Sequence, residues 1–361
     1  MSWIGEKIKL SIEGASHGEC MTAVLTGVPK GISIDFEQIL TQMARRAPGN
    51  AAYGTTRKEA DFPEIQSGFD GSFTNGDPIK AVIYNQNKRS TDYDALKWTP
   101  RPGHADYTAY IKFDGKEDMR GGGKFSGRLT APLVFAGAVC RQILAQKGIV
   151  IGAHVKSIGE IKDVSFDNVH PDLDLLQRLN KQPFAVIDPD SEQKMLDKMA
   201  QLRKALDSAG GTVELLAAGV PAGLGDNLFD GTEGKIAPYL FGIPAVKGVS
   251  FGSGFSAAEM YGSENNDPFI LENGKVVTKT NHCGGILGGI TNGMPLWLTV
   301  AFKPTPSIAR PQTTVDLQKM QQTQLEIHGR HDPCVVPRAV VCVESAVALA
   351  LTDMLALNGK L

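Results

Sequence analysis

The amino-acid sequence predicts a protein that mixes helices and strands, of either the α+β or the α/β class. Three observations support this prediction. Several long stretches carry the apolar pattern of helices, short runs of apolar and β-branched residues resemble strands, and glycine-rich turns separate the two kinds of segment. No low-complexity linker or internal repeat interrupts the alternation, so we predict one continuous domain over residues 1–361.

The first predicted helix covers residues 35–46. Asp35 is suited to cap its N-terminus, its apolar residues share one face, and the Ala-Pro-Gly segment at residues 47–49 ends it. This assignment places Arg45 and Arg46 at the C-terminal end of the helix.

Three further helices are predicted. One begins near Ser126 or Thr130 and ends at Gly148, and because it is apolar nearly all round it belongs in the core. Another, at residues 190–209, is charged on most faces and should lie on the surface. The last, at residues 336–357, is mostly apolar and should pack in the centre or at a subunit contact.

Strands are predicted at residues 7–13, 212–217, 247–251 and 296–302. The segment at residues 252–257 fits the pattern G-x-G-x-x-A of a dinucleotide-binding turn. The residues that follow are broken by polar, glycine and proline positions and cannot form the long helix of such a unit. We therefore do not predict a Rossmann fold.

Composition excludes several classes of protein. Lys and Arg total 37 against 39 Asp and Glu, so the charge balance gives no reason to expect a sequence-independent nucleic-acid binder. The sequence lacks both a secretory signal pattern and an uninterrupted apolar run of about eighteen residues. These features favour a cytoplasmic protein that does not associate with a membrane.

Cysteine usage argues against disulfides and metal. The five cysteines are odd in number, widely scattered and free of any C-x-x-C pair. A disulfide framework and a structural zinc site both need paired spacings. We therefore predict buried or half-buried thiols and no metal.

Two histidines are candidates for acid–base chemistry, because histidine titrates near neutral pH. His17 lies in a small-residue turn after a predicted strand, where the alternative is a solvated or capping residue. His104 follows Pro102 and Gly103, and Asp106 is placed to orient it. The alternative for His104 is a loop held by a His–Asp hydrogen bond.

A glycine-rich cationic segment follows His104. Residues 120–124 read Arg-Gly-Gly-Gly-Lys, and Ser126, Arg128 and Thr130 come directly after them. Exposed backbone N–H groups, a helix N-terminus and fixed cations are suited to bind an anion. The segment lacks the Walker spacing of a P-loop, and the alternative is a flexible exposed loop.

Two late segments predict a binding wall. Residues 281–293 place two glycine pairs around an apolar pair, and a strand then leads to Lys-Pro-Thr-Pro-Ser at residues 303–307. Glycine pairs allow a flat ring or a phosphate to approach the backbone closely. Turn formation alone would explain one glycine pair, so the presence of two favours a cofactor-binding surface. Arg330 and Arg338 flank Asp332, which is either a base or a turn residue before proline.

Taken in order, these segments resemble the signatures of the chorismate synthase family along nearly the whole chain. The matching motifs are Ser-His-Gly, Arg-Pro-Gly-His-Ala-Asp-Tyr, Arg-Gly-Gly-Gly, Gly-Gly-Ile-Leu-Gly-Gly-Ile, Lys-Pro-Thr and Arg-His-Asp-Pro-Cys. Several of them are long and specific.

The resemblance implies a β-α-β sandwich of antiparallel sheets packed with helices, assembled as a homotetramer. It implies a lyase that converts 5-enolpyruvylshikimate 3-phosphate to chorismate and phosphate by a 1,4-anti elimination, the last step of the shikimate pathway to aromatic amino acids. Reduced FMN is implied as cofactor, although the reaction involves no net redox change.

The resemblance also implies roles for individual residues. His17 resembles the histidine that protonates the departing phosphate, His104 the one that protonates reduced flavin, and Asp332 the aspartate that assists proton removal through the flavin N5. The substrate anions are expected to meet Arg46, Arg57, Arg128 and Arg338. The expected FMN contacts are Lys124, Phe125, Ser126, Pro244, Ala245, Gly288, Lys303, Pro304, Thr305, Pro306, Ser307 and Arg330.

The sequence departs from the family pattern in a few places. Ala15 replaces the glutamate that usually precedes the Ser-His-Gly turn. Residues 51–52 are alanines where an arginine is often found, and Ala47 replaces a third basic residue. Phe125 stands where a small polar residue is common, so contacts there are expected through the backbone. Because the two histidines, Asp332 and the glycine segments are present, we predict retained activity.

Two other functions remain open from the sequence. One is a bifunctional enzyme that also reduces FMN with NADPH, although no segment resembles a reductase module. The other is a catalytically silent protein that binds flavin or phosphate.

Overall fold

The computed structural model describes residues 2–49, 61–85, 98–327 and 332–361, except the side chain of Arg120. The strands, in chain order, are β1 (Ser2–Ile4), β2 (Lys9–Gly14), β3 (Cys20–Thr26), β4 (Glu64–Ser67), β5 (Phe69–Asp70), β6 (Phe73–Thr74), β7 (Ile79–Tyr84), β8 (Val150–Ile158), β9 (Ile161–Lys162), β10 (Gly211–Ala218), β11 (Val246–Phe251), β12 (Phe269–Glu272), β13 (Lys275–Thr278), β14 (Ile286–Leu287), β15 (Ile290–Thr291), β16 (Leu296–Phe302), β17 (Gln312–Asp316) and β18 (Gln321–Leu325). The α-helices are α1 (Phe36–Arg46), α2 (Asp106–Lys112), α3 (Thr130–Gln146), α4 (Leu173–Leu179), α5 (Pro189–Lys204), α6 (Thr232–Phe241), α7 (Gly262–Asn265) and α8 (Val336–Leu357).

Two antiparallel sheets lie on either side of a central layer of helices. The first has the strand order β1-β2-β3-β7-β4, and the second has the order β11-β16-β10-β8-β9. The helices α1, α3 and α8 pack between them, because α3 contacts β2, β3 and β7 while α8 contacts β8 and β10. The fold is therefore α+β, and the β-α-β sandwich expected from the resemblance is confirmed.

The central helices are apolar because they are buried on nearly every side. By length and composition, residues 127–146 and 336–357 could each cross a membrane, but 72% and 89% of these windows are buried inside the protein. Gly137 on α3 makes their close approach feasible, since a Cβ there would lie 2.2 Å from Cβ of Ser345 on α8. These helices are core elements of the fold.

The second sheet is covered on its other face by α4 and α5. Gly152 of β8 lies against Leu176 of α4, where an added Cβ would come within 2.8 Å of the leucine side chain. The same face carries His154, whose Nδ1 lies 2.8 Å from Asp163 and whose Nε2 lies 2.7 Å from Glu214. With covering layers on both faces, β8 is buried almost throughout.

Most predicted elements are confirmed. Asp35 caps α1 by accepting the N–H of Glu37 at 2.9 Å, and α3, α8, β10, β11 and β16 agree with the predicted segments within a few residues. The surface helix was predicted too long, because α5 ends at Lys204 and Leu206 has a φ of 58° that is incompatible with a helix. After Gly252 the chain forms a six-residue 3₁₀ helix, which agrees with the exclusion of a Rossmann unit.

Two buried carboxylates of α8 fix the layers to one another. Asp353 accepts the backbone N–H groups of residues 6–8 at 2.8–2.9 Å and the Tyr239 hydroxyl at 3.2 Å. Glu344 accepts from Arg45 at 2.6 Å and from Arg141 at 2.8 Å. Because removing one partner of a buried charge pair is costly, these contacts fix the middle and the C-terminal part of α8 against the surrounding layers.

Candidate active site

A cleft of about 630 Å³ opens where three of the buried helices meet two loops. The C-terminal end of α1 and the N-terminal ends of α3 and α8 form one side. The other side is formed by the segments 241–247 and 303–307, and the glycine-rich segment 121–128 lies between. The cleft thus collects residues that are widely separated in the sequence.

The three consecutive glycines of this segment adopt conformations that side chains disfavour. Gly121, Gly122 and Gly123 have φ values of 59°, 88° and 52°. A Cβ on Gly121 would lie 2.1 Å from Cε1 of His17, and one on Gly122 would lie 3.3 Å from Nε2 of His104. The bare backbone is therefore packed between the two histidines predicted to be catalytic.

His104 is oriented by an ion pair. Its Nδ1 lies 2.7 Å from Asp106 Oδ1, and Arg101 holds the same carboxylate through Nε and Nη2, each at 2.7 Å. Although burial opposes ionisation, the hydrogen bonds and charges of Arg101 and His104 hold the pKa of Asp106 well below its usual range. The ionised carboxylate accepts a hydrogen bond from the Nδ1–H of His104, so Nε2 is the ring nitrogen left for proton transfer at the cleft.

His17 lies behind the glycine segment and is not among the residues that line the cleft. Ser16 Oγ lies 3.3 Å from its Nδ1 and donates to the carbonyl of Gly121 at 3.1 Å. Asn85, at the end of β7, donates to the carbonyls of Ala15 and Gly18 at 3.0 Å, which fixes the turn that carries the histidine. Among the described residues, Gly121 lies between His17 and the cleft.

Two buried arginines, Arg46 and Arg128, form a cationic surface on the helical side of the cleft, which we call the arginine wall. Arg46 and Arg128 are 3% and 5% exposed, and both contact the carboxylate of Asp61. Arg46 also donates to Thr130 Oγ1 at 3.0 Å and Arg128 to Asn85 Oδ1 at 3.0 Å. Burial opposes ionisation of Asp61, but the charges of the two arginines hold the pKa of Asp61 below its usual value.

Arg338 and Asp332 extend this wall at the start of α8. Arg338 donates to Asp332 Oδ2 at 2.7 Å and to the carbonyl of Arg46 at 3.0 Å. The other oxygen, Asp332 Oδ1, is buried and has no hydrogen-bond partner among the described residues. A buried oxygen of this kind needs a partner from a ligand or from water.

The opposite side of the cleft is built from the segments that contain Pro244 and Lys303. Lys303 donates its backbone N–H to Ala245 at 3.0 Å and its ammonium contacts the carbonyl of Gly103. Burial, assisted by the neighbouring charge of Lys247, lowers the pKa of Lys303. Thr305 Oγ1 is buried and has no partner in the described part of the chain.

Lys124 is held away from the arginine wall. Its ammonium lies 2.9 Å from Glu117 Oε2 and 3.6 Å from the ring centroid of Phe113. Phe125, at the position where the resemblance predicted backbone contact only, is 37% exposed beside the cleft.

The structure brings most of the predicted site residues into one cleft. Those that line it are His104, Asp332, Arg46, Arg128, Arg338, Lys124, Phe125, Ser126, Pro244, Ala245, Lys303, Thr305, Pro306 and Ser307. Pro304 and His17 adjoin this lining without belonging to it. Arg57 and Arg330 lie outside the described residues.

Gly288 is predicted to contact the cofactor, but in a single chain it lies in the hairpin of β14 and β15. The carbonyl of the next residue, Gly289, accepts the N–H of Thr232 at the start of α6, whereas the cleft adjoins the other end of that helix. Ten helical residues span about 15 Å. The cleft of one chain therefore does not include Gly288.

Sequence reasoning missed four residues that shape the cleft. Arg101 orients the His104 pair, Lys247 adds a cation, and Asp61 and Asn85 support the arginine wall. Arg101 was detectable, because it opens the motif that contains His104. The other three carry no local pattern.

Comparison with known proteins gives a consistent result. The family model described as chorismate synthase matches residues 8–356. The chain is 46% identical over 351 residues to a chorismate synthase of Thermococcus gammatolerans, covering 97% of this chain and 96% of that protein. It is 44% identical over 358 residues to a chorismate synthase of Methanosarcina mazei, covering 98% and 96%.

A solved structure has the same architecture. A crystal structure of a chorismate synthase superimposes with a TM-score of 0.78 at 29% sequence identity, and the match covers 98% of this chain and 93% of that chain.

Proposed function

The chain belongs to the chorismate synthase family, and on that premise we propose that the cleft beside α1, α3 and α8 is its active site. The protein is a lyase that converts 5-enolpyruvylshikimate 3-phosphate to chorismate and phosphate in the shikimate pathway. One observation carries the proposal for the site: the cleft joins a buried arginine wall to an oriented histidine and a carboxylate oxygen without a described partner.

The arginine wall is suited to bind the substrate's anions. The substrate carries a phosphate and two carboxylates, so it needs several fixed cations. Arg46, Arg128 and Arg338 are held by hydrogen bonds to neighbouring groups, which reduces the side-chain entropy lost on binding. We assign them to the substrate anions, and Arg57 is assigned to the same task by resemblance alone.

The described residues also fit a flavin phosphate. The cleft volume lies within the range typical of cofactor sites, roughly 300–1,000 Å³. Thr305 Oγ1 and Asp332 Oδ1 are buried polar atoms without a described partner, and Lys124, Lys247 and Lys303 supply positive charge at the same cleft. When bound, reduced FMN would supply electron density to the reacting substrate without net redox change.

Proton transfer is assigned to three side chains. His104, with Nδ1 bonded to Asp106, can carry a proton on Nε2 at the cleft. Asp332 Oδ1 can accept a proton, since its other oxygen is occupied by Arg338. His17 is assigned to the departing phosphate, and because it lies behind Gly121 this role requires the phosphate to bind near that backbone.

The cofactor contacts are assigned to the loops that line the cleft. These are Lys124, Phe125, Ser126, Pro244, Ala245, Lys303, Pro304, Thr305, Pro306 and Ser307. Gly288 and Arg330 keep the same assignment by resemblance alone. Gly288 could contact the cofactor only if the β14–β15 hairpin moved or if the hairpin of one chain reached the cleft of another.

We further propose that the enzyme is a cytoplasmic homotetramer formed by one domain per chain. Large apolar side chains such as Phe229, Phe255 and Leu271 are 93%, 88% and 79% exposed, which supports an assembly that covers them. Light scattering coupled to gel filtration measures the mass directly, and a monomer would contradict the proposal.

The first experiment is anaerobic turnover of 5-enolpyruvylshikimate 3-phosphate with prereduced FMN, following chorismate absorbance and phosphate together. Equal release of both products only with prereduced FMN supports a monofunctional enzyme. Product formed from oxidised FMN and NADPH would instead support the bifunctional form.

The variant His104→Ala separates catalysis from binding. Loss of a general acid or base lowers turnover by about a hundredfold to ten-thousandfold. We expect this loss with little change in FMN affinity. A wild-type protein that binds FMN without forming product would favour a catalytically silent binder.

A further inference from the structure

Asp61 contacts both arginines of the arginine wall, although no local sequence pattern predicts a buried acidic residue at this position. Its side chain is fully buried, and its two carboxylate oxygens contact different arginines, Oδ2 with Arg46 and Oδ1 with Arg128. Asp61 itself does not line the cleft, whereas both arginines do. The carboxylate therefore lies behind the cations that face the substrate.

The arginines reach this position from different parts of the fold. Arg46 is the last residue of α1, and Arg128 lies just before α3, 82 positions later in the numbering. Two guanidinium groups brought together in a buried wall repel each other. A carboxylate between them offsets that repulsion and supplies hydrogen-bond acceptors to both, so it fixes their separation.

We propose that Asp61 is a positioning residue that sets the spacing and direction of Arg46 and Arg128 for the substrate's anionic groups. This inference rests on the proposed function of the cleft. The trio carries a net charge of one positive unit, since two cations surround one anion. Thr130 and Gly127 accept from the other two nitrogens of Arg46, and Asn85 accepts from Nε of Arg128; none of these three groups carries a charge.

A rigid substrate and a small anion depend differently on the spacing of Arg46 and Arg128. The phosphate and the ring carboxylate of 5-enolpyruvylshikimate 3-phosphate are fixed on one ring, so they need both arginines at set positions. Inorganic phosphate has no such constraint and can follow a displaced arginine. Replacing Asp61 by a neutral residue also raises the local net charge, which favours any small anion.

Asp61→Asn tests the inference, because asparagine retains the size of aspartate and loses its charge. We expect kcat/KM for 5-enolpyruvylshikimate 3-phosphate to fall about tenfold to a hundredfold, the size of a misplacement of about 1 Å. Inhibition by inorganic phosphate should stay equal or become tighter. A parallel loss of substrate and phosphate binding, or no change in either, would overturn the proposal.

Asp61→Glu is a second test if the first variant is unstable. It keeps the charge and moves the carboxylate by one methylene, so phosphate inhibition should be unchanged while kcat/KM falls. The matched control is Asp163→Asn, which removes a buried carboxylate bonded to His154, and neither of these residues lines the cleft. It should lower thermal stability and leave the ratio of substrate to phosphate affinity unchanged, and a changed ratio would count against a specific role for Asp61.

Calorimetry separates this inference from the proposed function. Substrate and inorganic phosphate are titrated separately into the protein with oxidised FMN, where no turnover is expected. Wild-type turnover tests the function, whereas the divergence between the two affinities in Asp61→Asn tests the positioning role. If wild type binds both ligands but does not turn over, the function fails while the role of Asp61 can still be judged.

Discussion

Replacing Gly121 by alanine tests whether the glycine segment positions His17. Gly121 has a φ of 59°, and an added Cβ would lie 2.1 Å from Cε1 and 2.3 Å from Nδ1 of His17. Ordinary van der Waals contact of a Cβ begins at 3.4 Å, so the ring or the loop must move by about 1 Å. A displacement of this size at a catalytic group lowers the rate by about a hundredfold.

Backbone strain also contributes, and a matched variant isolates it. An alanine in the left-handed region costs roughly 1–2 kcal/mol. Gly71 has a similar φ of 60° with nothing within 4 Å of the added Cβ, so Gly71→Ala has the strain without the collision. We expect similar losses of thermal stability from the strain in both variants, with any excess in Gly121→Ala due to the collision.

The assay is chorismate formation with prereduced FMN under anaerobic conditions, with FMN binding and thermal denaturation measured on the same preparations. Gly121→Ala should lose about two orders of magnitude in kcat. Gly71→Ala should retain wild-type kcat. If both variants keep kcat within a few-fold of wild type, His17 either does not need its observed position or does not take part in the reaction.

Three further predictions follow from the described contacts. Asp106→Asn should lower kcat by at least tenfold with little effect on stability beyond the lost ion pair, because His104 loses the acceptor that fixes its tautomer. His154→Gln should destabilise the protein by about 3–5 kcal/mol at neutral pH, since two buried carboxylates lose the cationic ring that lies between them. Gly137→Ala should destabilise it by about 1–3 kcal/mol or more, because the new methyl overlaps Ser345.

The pH dependence of the His154 cluster has a definite sign. Burial opposes the charged ring, but the hydrogen bonds and charges of Asp163 and Glu214 raise the pKa of His154. A raised pKa means that the stabilisation is complete below the unfolded value of about 6.5 and is lost as pH rises through the folded value. The stability difference between wild type and His154→Gln should therefore shrink at alkaline pH, and a difference that grows would contradict the assignment.

The other two predictions have their own controls. Asp106→Asn is compared with Glu160→Gln, which removes an exposed carboxylate that pairs with Lys198 and does not line the cleft. Gly137→Ala is compared with Gly262→Ala, where the nearest atom to the added Cβ is 4.0 Å away. Equal losses of activity in the first pair, or of stability in the second, would refute the reasoning.

Much of the cleft was predictable because its residues lie in local motifs. His104 and the glycine segment are recognisable from consecutive residues, and the end of α1 at Arg46 follows from an N-cap and an Ala-Pro-Gly stop. The apolar character of α3 and α8 predicted their burial. These features depend on neighbours within one or two turns of chain, which a sequence records directly.

Asp61 shows why the remainder was not predictable. By composition it is one acidic residue in a polar stretch, and such residues are usually exposed. It is buried because Arg46 and Arg128, both distant in the sequence, converge on it. The two cations keep the buried carboxylate ionised by lowering the pKa of Asp61, although burial opposes ionisation, and only the folded chain brings the three groups together.

The sequence by itself determined the family, the fold class and the chemical character of the cleft, because each depends on motifs and on apolar periodicity. The tertiary structure decided how the pieces meet: His17 behind Gly121, Asp61 behind the arginines, and Gly288 on a hairpin outside the cleft of its own chain. Distances between such residues depend on how the sheets and helices pack, and no local pattern encodes that packing.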